Sequence, residues 1–254
     1  MSVDKLALCI ASFGIFAYLL AMKYSAKRFK NWPLYRLVLF VSGTLAGLQA
    51  VSGSVAMQAH HSFVYHMIGH LLLGMLSPLL LVLSRPMTLV LRALPQSGSK
   101  AVSHLFCSRY ARLIIHPITA AVLNIGGLWL LYTTPLFHHM HQASWISFLV
   151  HLHVFAAGYV FTLAMLYSDP VAYRKSHMYR MVVFIFALAG HGILSKYLYV
   201  NPPAGVAPAD AQAGAVLMYY GGDLIDLILI FLLCWQWYQT AAPKTSLPAT
   251  KTAE

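Results

Sequence analysis

The sequence predicts an all-α integral membrane protein with seven transmembrane helices, an N-terminus outside the cell and a C-terminus in the cytoplasm. Of the 254 residues, 59% are hydrophobic and only 9% are charged, and the mean hydropathy is +0.69. Soluble domains carry about 25% charged residues, so this composition excludes an ordinary cytosolic domain. The apolar residues also fall into long runs, and the positive charges lie between alternate runs. Both features are typical of multi-pass membrane proteins.

Seven apolar runs are long enough, or nearly so, for the roughly 20 residues that a membrane-spanning helix needs. They are residues 6–22, 34–56, 63–84, 116–133, 146–167, 181–200 and 214–237. The first run lacks the small-residue cleavage site of a signal peptide and is followed by basic residues, so we interpret it as a retained span. We assign residues 1–240 to a single seven-helix membrane domain and residues 241–254 to a short cytoplasmic tail.

The distribution of positive charge predicts the orientation of these spans. Fifteen of the 17 Lys and Arg residues lie in or beside the connections after spans one, three and five, or in the C-terminal tail. The other connections, residues 57–62, 134–145 and 201–213, contain none. Because cytoplasmic loops carry the excess of Lys and Arg, the first set is expected to face the cytoplasm. The net charge of +11 is therefore an orientation signal, and we expect no nucleic-acid partner.

Ionisable residues gather at one depth in four of the predicted spans. With this topology, five histidines and two aspartates lie in the outer half of the membrane. They are His66, His70, His151, His153, His191, Asp223 and Asp226. Such residues are costly within a span unless they face the interior of the bundle and have partners. The sequence therefore predicts a metal or cofactor site that involves the third, fifth, sixth and seventh spans.

Helical periodicity limits which of these residues can act together. His66 and His70 are four residues apart and share one helix face. His151 and His153 are two apart, about 200° around a helix, so only one of them can be a ligand of a given centre. The sequence does not say which. Lys196 lies one turn beyond His191 and is predicted to neutralise an aspartate near the site. The alternative is that Lys196 and an aspartate form a salt bridge that only closes the bundle.

The predicted outer connections add further possible ligands. They are Met57, His60 and His61 before the third span, and His138, His139, Met140 and His141 before the fifth. Imidazole together with thioether groups suits copper, especially Cu(I), better than magnesium or calcium. These residues are candidates for metal capture, and the alternative is that the histidines among them are ordinary polar residues of surface loops.

Several segments resemble, in the same order, the CtaG family of multi-span bacterial cytochrome c oxidase assembly factors. They include HMIGHLLLGMLSPLLLVLSRP, HPITAAVLNIGGLWLLYTTPLFHH, HLHVFAAGYVFTLAMLYSDP, ALAGHGILSKYLY and AVLMYYGGDLIDLILI, and together they lie within residues 57–239. The family's motifs fall on His66 and His70, on His151, His153, Gly158 and Tyr159, on His191 and Lys196, and on Asp223. The resemblance implies a multi-pass protein of the bacterial plasma membrane that helps to deliver copper to a haem–copper oxidase and is not an enzyme.

The resemblance also sets expectations for the cofactor and the partners. We expect copper, as Cu(I), at one or two ions per chain. The expected partners are the catalytic subunit of cytochrome c oxidase, an extracytoplasmic copper donor and membrane lipid. Glycine pairs within the spans would permit a homodimer.

Two other functions agree with part of this pattern. A b-type cytochrome would hold haem between histidines of the third and fifth spans, but would leave the aspartates and loop methionines without a role. A copper or proton-coupled transporter would also carry Asp and His within its spans. Because these residues gather on one side only, the pattern favours a surface-open site over a path through the membrane.

Overall fold

The computed structural model describes residues 3–171 and 173–241, so all but the first residue of the predicted tail lies outside it. Within this part of the chain the regular secondary structure is helical, and it contains no strand. The helices are α1 (Val3–Ala26), α2 (Leu34–Ser52), α3 (Ser54–Ala59), α4 (Phe63–Leu71), α5 (Ser77–Leu83), α6 (Pro86–Ala93), α7 (Gln96–Phe106), α8 (Arg109–Ile114), α9 (Pro117–Ala121), α10 (Gly127–Thr133), α11 (Leu136–Gln142), α12 (Ser144–Leu166), α13 (His177–Val200) and α14 (Pro208–Ala241). Two π-helical turns, Leu72–Leu76 and Val122–Gly126, join α4 to α5 and α9 to α10.

Six helical stretches of the described chain are long and apolar enough to cross a membrane. They are Lys5–Ala26, Leu34–Ala59, Phe63–Leu83, Ser144–Leu166, His177–Val200 and Pro208–Ala241. The seventh predicted span corresponds to Pro117–Thr133, which meets these criteria only together with Leu136–Gln142, bent away by 77°. Pro135 lies at the bend, where its ring cannot continue the preceding helix. The prediction of an all-helical, multi-span protein is confirmed, whereas the count of seven and the orientation stay predictions.

The centre of the bundle is filled by α4 with α5, α12, α13 and α14, and two apolar clusters occupy its two ends. We call the end that carries α3, α11 and the first turns of α4 and α12 the histidine-rich end. Its cluster includes Phe63, Met67, Leu131 and Met218. The cluster at the opposite end includes Leu79, Phe161, Met165, Phe184, Leu229 and Leu233. Residues of both clusters, among them Leu128 and Leu79, border the cavity that His70 and His191 line.

One glycine allows two central helices to approach closely. A Cβ atom at Gly158 of α12 would collide with the carbonyl oxygen of Gly74, in the π-helical turn after α4. Only glycine therefore permits this contact. It brings α12 against the turn that follows His70, and so helps to position that histidine.

Asp210, in the first turn of α14, ties this helix to the beginning of α4. Its carboxylate accepts hydrogen bonds from the hydroxyl of Ser62 (3.1 Å) and from the backbone N–H groups of Phe63 (2.6 Å) and Val64 (3.4 Å). The first N–H groups of a helix have no partner within the helix, so Asp210 caps α4 from a distant part of the chain. Its negative charge also suits the positive end of the helix dipole.

We expect the Asp210→Ala variant to unfold more easily than the wild type. The change would leave three donors without their acceptor and should lower the free energy of unfolding by about 1–3 kcal/mol. Thermal unfolding of the detergent-purified protein measures this loss as a lower Tm. Gln212→Ala, an exposed position on the same helix, is the matched control. Equal Tm values for the two variants would show that the Asp210 cap contributes nothing measurable.

Asp169 makes a similar contact at the opposite end of the bundle, in the connection between α12 and α13. Its carboxylate is 2% exposed and accepts hydrogen bonds from the backbone N–H (2.8 Å) and hydroxyl (2.6 Å) of Thr88 and from the N–H of Met87 (3.3 Å). It thereby caps α6. Burial raises the pKa of the Asp169 carboxyl above its usual range, and the hydrogen bonds from Thr88 and Met87 oppose that increase.

The raised pKa of Asp169 predicts how stability depends on pH. An unfolded aspartate has a pKa of about 3.9, so between that value and the folded pKa the folded state binds more protons. The free energy of unfolding should therefore decrease as pH rises through this window and level off above the folded pKa. The Asp169→Asn variant lacks the titrating carboxyl, so its free energy of unfolding should not show this decrease. The Tm of the wild type relative to the variant, measured at a series of pH values, should therefore fall as pH rises through the window. A constant difference, or one that favours the wild type more as pH rises, would contradict the prediction.

Candidate metal-binding site

Two buried histidines face each other in the centre of the bundle. The rings of His70 on α4 and His191 on α13 have centroids 6.0 Å apart and planes inclined by only 23°. Their side chains are 7% and 4% exposed. Together with Asp226 of α14, which is also buried, they line a cavity of about 30 Å³ that we call the inner cavity. A cavity of this size has room for a water molecule or a metal ion.

The nitrogens of this pair have unused hydrogen-bonding capacity. In the described part of the chain, both ring nitrogens of His70 lack a hydrogen-bond partner, and so does the Nε2 atom of His191. Buried polar atoms nearly always have one, because leaving such an atom unpaired costs free energy. A neutral imidazole carries a lone pair on one of its two nitrogens, so each of the two rings can offer one nitrogen to a ligand in the inner cavity. A metal ion that prefers imidazole nitrogen fits this arrangement.

The local backbone explains how both rings fit at this depth. A Cβ atom on Gly222 of α14 would lie 2.5 Å from Cε1 of His191, so the glycine makes room for that ring. His70 lies two residues before the π-helical turn Leu72–Leu76, and a Cβ atom on Gly74 in that turn would lie 3.5 Å from its ring. The other π-helical turn, Val122–Gly126, carries Asn124, which also lines the inner cavity. Irregular turns of this kind are frequent at functional sites.

A larger cavity, of about 430 Å³, lies at the histidine-rich end, and we call it the outer cavity. Its lining includes His60, Met57, His66, Met140, His141 and His151, which come from α3, α4, α11 and α12 and from the residue after α3. His60 and His141 are exposed, so this cavity reaches the surface. The outer cavity therefore offers several imidazoles and two thioethers at an accessible position.

A third cavity, of about 30 Å³, lies between the other two, and we call it the intermediate cavity. His66 and His151 line both this cavity and the outer cavity, and His70 lines both this cavity and the inner cavity. Tyr132 of α10 also lines it, and its hydroxyl lies 3.0 Å from Nε2 of His66, within hydrogen-bonding distance. The three cavities thus follow one another from the surface to the centre of the bundle.

The residues predicted to form one site lie in two groups, and some lie in neither. His70, His191 and Asp226 line the inner cavity, whereas His66 and His151 line the outer one. The exposed His153 donates a hydrogen bond to the carbonyl oxygen of Leu123 (3.1 Å), and Asp223 is exposed on α14. Within residues 3–171 and 173–241, no three His, Cys, Asp or Glu side chains are placed to hold one metal ion. The seven residues are therefore not gathered around one point in this part of the chain.

Helix geometry explains this division. His151 and His153 point to different sides of α12, as their spacing of about 200° requires. Asp223 and Asp226 differ by about 60° around α14, which is enough to turn one of them outward. The two residues of each pair were predicted to lie at one depth, but depth alone does not bring side chains together. Their roles as metal ligands stay predictions.

The residues predicted for metal capture also fall into two groups, those that line the outer cavity and those that do not. Met57, His60, Met140 and His141 line the outer cavity, whereas His61, His138 and His139 are exposed and are not part of its lining. Lys196 is exposed, and its ammonium group lies 5.3 Å from the centroid of the Tyr219 ring, a cation–π contact. It does not line the inner cavity.

Three residues that the sequence did not single out line these cavities. Tyr132 lies beside both His66 and His70, and Met75 and Asn124 line the inner cavity. The amide of Asn124 within an apolar run is a signal that could have been used, because polar groups within spans are costly. Met75, in LLLGML, cannot be distinguished from an ordinary apolar residue by sequence.

Three uncharacterized mycobacterial proteins are similar to the chain, each at 28% identity. The alignment with the Mycobacterium leprae protein extends over 228 residues and covers 82% of this chain. Those with the Mycobacterium bovis and Mycobacterium tuberculosis proteins extend over 251 residues and cover 88%. The chain spans only 35–38% of the length of these relatives. No solved structure matches it.

The family comparison covers most of the chain. The model of the family described as cytochrome c oxidase caa3 assembly factor matches residues 16–240. This region contains the second half of the first long helical stretch, the next four in full and all but the last residue of the sixth. It also includes every described residue that lines the inner, intermediate and outer cavities. The resemblance to CtaG proteins is confirmed, and the protein belongs to the family of cytochrome c oxidase caa3 assembly factors.

Proposed function

We propose that this chain is a copper-binding assembly factor, without enzymatic activity, that helps to insert copper into the catalytic subunit of a haem–copper oxidase. Its family supports the assembly role. The observation that supports copper most strongly is the inner cavity, where two buried histidines have three unpartnered nitrogens close to a carboxylate. Copper is the cargo of such a protein, so its site must both hold and release the ion.

The chemistry of the inner cavity suits Cu(I). Imidazole nitrogen is a good copper ligand, and Cu(I) accepts low coordination numbers. A single positive charge between two neutral histidines would be balanced by the carboxylate of Asp226, so the loaded cavity would carry no net charge. This balance matters because burying an uncompensated charge costs several kcal/mol or more.

The charge pattern of the connections supports an extracytoplasmic source for the metal. Residues 57–62 and 134–145, which contribute to the histidine-rich end, contain no Lys or Arg. The positive-inside rule therefore favours an outward-facing outer cavity in the bacterial plasma membrane. A copper donor outside the cytoplasm would then reach the outer cavity first.

Both alternative functions agree less well with the cavities. A volume of about 30 Å³ is too small for a porphyrin between His70 and His191. A haem in the outer cavity would leave the unpartnered nitrogens of this inner pair without a role. A transporter needs a path through the bundle, but the apolar cluster of Leu79, Phe184 and Leu229 fills the end beyond the inner cavity.

The proposal is tested by the metal content of the oxidase in cells that lack this protein. We expect the purified oxidase to contain its haem but little copper in its catalytic subunit, and wild-type protein to restore the copper. A variant with both His70 and His191 changed to Leu should not restore it, whereas His139→Ala, at an exposed position outside the cavities, should. A fully copper-loaded oxidase in cells without the protein would refute the proposal.

The position of the His191 ring provides a second test. The Cβ atom added by Gly222→Ala would displace this ring but need not disturb the helix backbone. We expect the affinity for copper to decrease by about tenfold or more, the usual effect of disturbing residues that orient a metal ligand. Gly126→Ala is the control, because a Cβ atom there has its nearest neighbour at 3.8 Å. Competition against a Cu(I) chelator measures both affinities, and equal values would contradict the prediction.

A further inference from the structure

Aromatic rings form an unbroken row from the surface to the inner cavity. The centroids of His60 and His141 are 6.3 Å apart, and those of His141 and His66 are 6.0 Å apart. From His66 the row continues to Tyr132 (5.9 Å) and from Tyr132 to His70 (6.4 Å). The last step, from His70 to His191, is 6.0 Å. This row follows the three cavities in the same order.

Two histidines of the outer cavity are held in the form that a metal ligand needs. The Nδ1–H group of His151 donates to the carbonyl oxygen of Ser147 (2.7 Å), and that of His141 donates to the carbonyl oxygen of Phe137 (2.9 Å). With Nδ1 protonated, Nε2 carries the lone pair. Metal-binding histidines commonly have this arrangement, with one nitrogen donating to a backbone carbonyl while the other binds the ion.

The thioethers add selectivity to the same cavity. Met57, which is 67% exposed, and the buried Met140 both line it. Thioether and imidazole groups together favour Cu(I) over zinc or harder cations. The outer cavity therefore offers the same chemical class of site as the inner one, but at an accessible position.

We propose that the outer cavity is a separate entry site for Cu(I), and that the ion passes from it to the inner pair through His66. This inference rests on the proposed function. Of the six rings in this row, His66 alone lines both the outer and the intermediate cavity, and it is partly buried. His70, four residues further along α4, lines the intermediate and inner cavities and receives the ion next.

Each step is an exchange of ligands without oxidation or reduction. A bond forms between copper and a nitrogen of the next histidine as a bond to the previous nitrogen breaks, and the ion stays Cu(I). The hydroxyl of Tyr132 can donate its hydrogen bond to the lone pair of His66 whenever the ion is not there. The transfer therefore needs no further reactant.

Separate entry and storage sites can be distinguished by the accessibility of the bound copper. The full-length protein in detergent is loaded anaerobically with Cu(I), and a bulky sulfonated Cu(I) chelator is then added. Copper in the outer cavity should be removed at once, whereas copper in the inner cavity should resist removal. Sampling over time after adding Cu(I) gives the rate at which the resistant fraction forms.

Three variants test the path. In His66→Phe, which keeps an aromatic ring beside Phe63 and Phe137, the resistant fraction should form at least about tenfold more slowly yet reach the wild-type level. The double variant His141→Ala/His151→Ala should lose the rapidly removed copper and also fill the inner site slowly. His139→Ala is the control and should behave like the wild type.

The outcomes separate this inference from the proposed function. Wild-type rates for the resistant fraction in both His66→Phe and the His141/His151 double variant would overturn the entry path but leave copper binding intact. A single class of copper in the wild type, all removed at once, would overturn the two-site arrangement. If the wild type retains no copper at all, the proposed function itself fails.

Discussion

Changing both His70 and His191 to leucine is expected to abolish the tightly held copper of this protein. Both rings are buried and line the inner cavity, and three of their four nitrogens have no hydrogen-bond partner. Leucine preserves much of the apolar volume and removes the buried nitrogens, so the fold should survive. Among the described residues, this pair supplies the only imidazoles that line the inner cavity, so its loss should leave no copper resistant to a chelator.

The stability of this double variant is part of the same test. Replacing unsatisfied buried polar groups by apolar groups is often neutral or stabilising, so its Tm should not be lower than that of the wild type. His153→Leu is the control, since His153 lies in the same depth range but donates to the carbonyl oxygen of Leu123. Undiminished chelator-resistant copper in a folded double variant would show that the inner cavity is not the storage site.

The second large effect concerns the two aspartates of α14. Asp226→Asn is nearly isosteric but removes the negative charge beside the inner cavity. A Cu(I) ion there would then be an uncompensated buried charge, and we expect its affinity to decrease by about 10–100-fold. Asp223→Asn, one turn away and exposed, should leave the affinity close to that of the wild type.

This comparison is informative because the depth argument predicts both residues as ligands, whereas the family motif falls on Asp223 alone. Both are the same residue type on the same helix, and only their rotation around α14 differs. Chelator competition on the two purified variants measures the difference. A larger loss for Asp223→Asn than for Asp226→Asn would place the functional carboxylate on the exposed face of α14 instead.

Much of the fold could be predicted from the sequence because hydrophobic length and loop charge are local properties. The spans of α12 and α13 were found within a few residues of their bounds. The span around Pro117–Thr133 was harder to predict. Its continuation, α11, bends away by 77° at Pro135, and the sequence does not show this angle. The extension of the last helix to Pro208 was missed, because the residues before Gly214 are too polar and too rich in alanine to be recognised as part of a span.

The candidate site was less predictable, for a physical reason. Depth along a helix follows from counting residues, and it correctly placed His70, His191 and Asp226 near one another. Rotation around the helix axis is set by packing, for instance by the room that Gly222 leaves for the His191 ring. Tyr132 was missed because a tyrosine in an apolar run is ordinary, and only the folded structure places its hydroxyl beside His66.

The metal content of the purified full-length protein tests the central claim most directly. The detergent-purified protein is exposed to reduced copper, desalted and then measured for all transition metals together. We predict copper at about one or two ions per chain with negligible iron, and loss of the chelator-resistant part in the His70/His191 double variant. Iron near one per chain with a haem absorption band, or no bound metal at all, would contradict the proposed role in copper delivery.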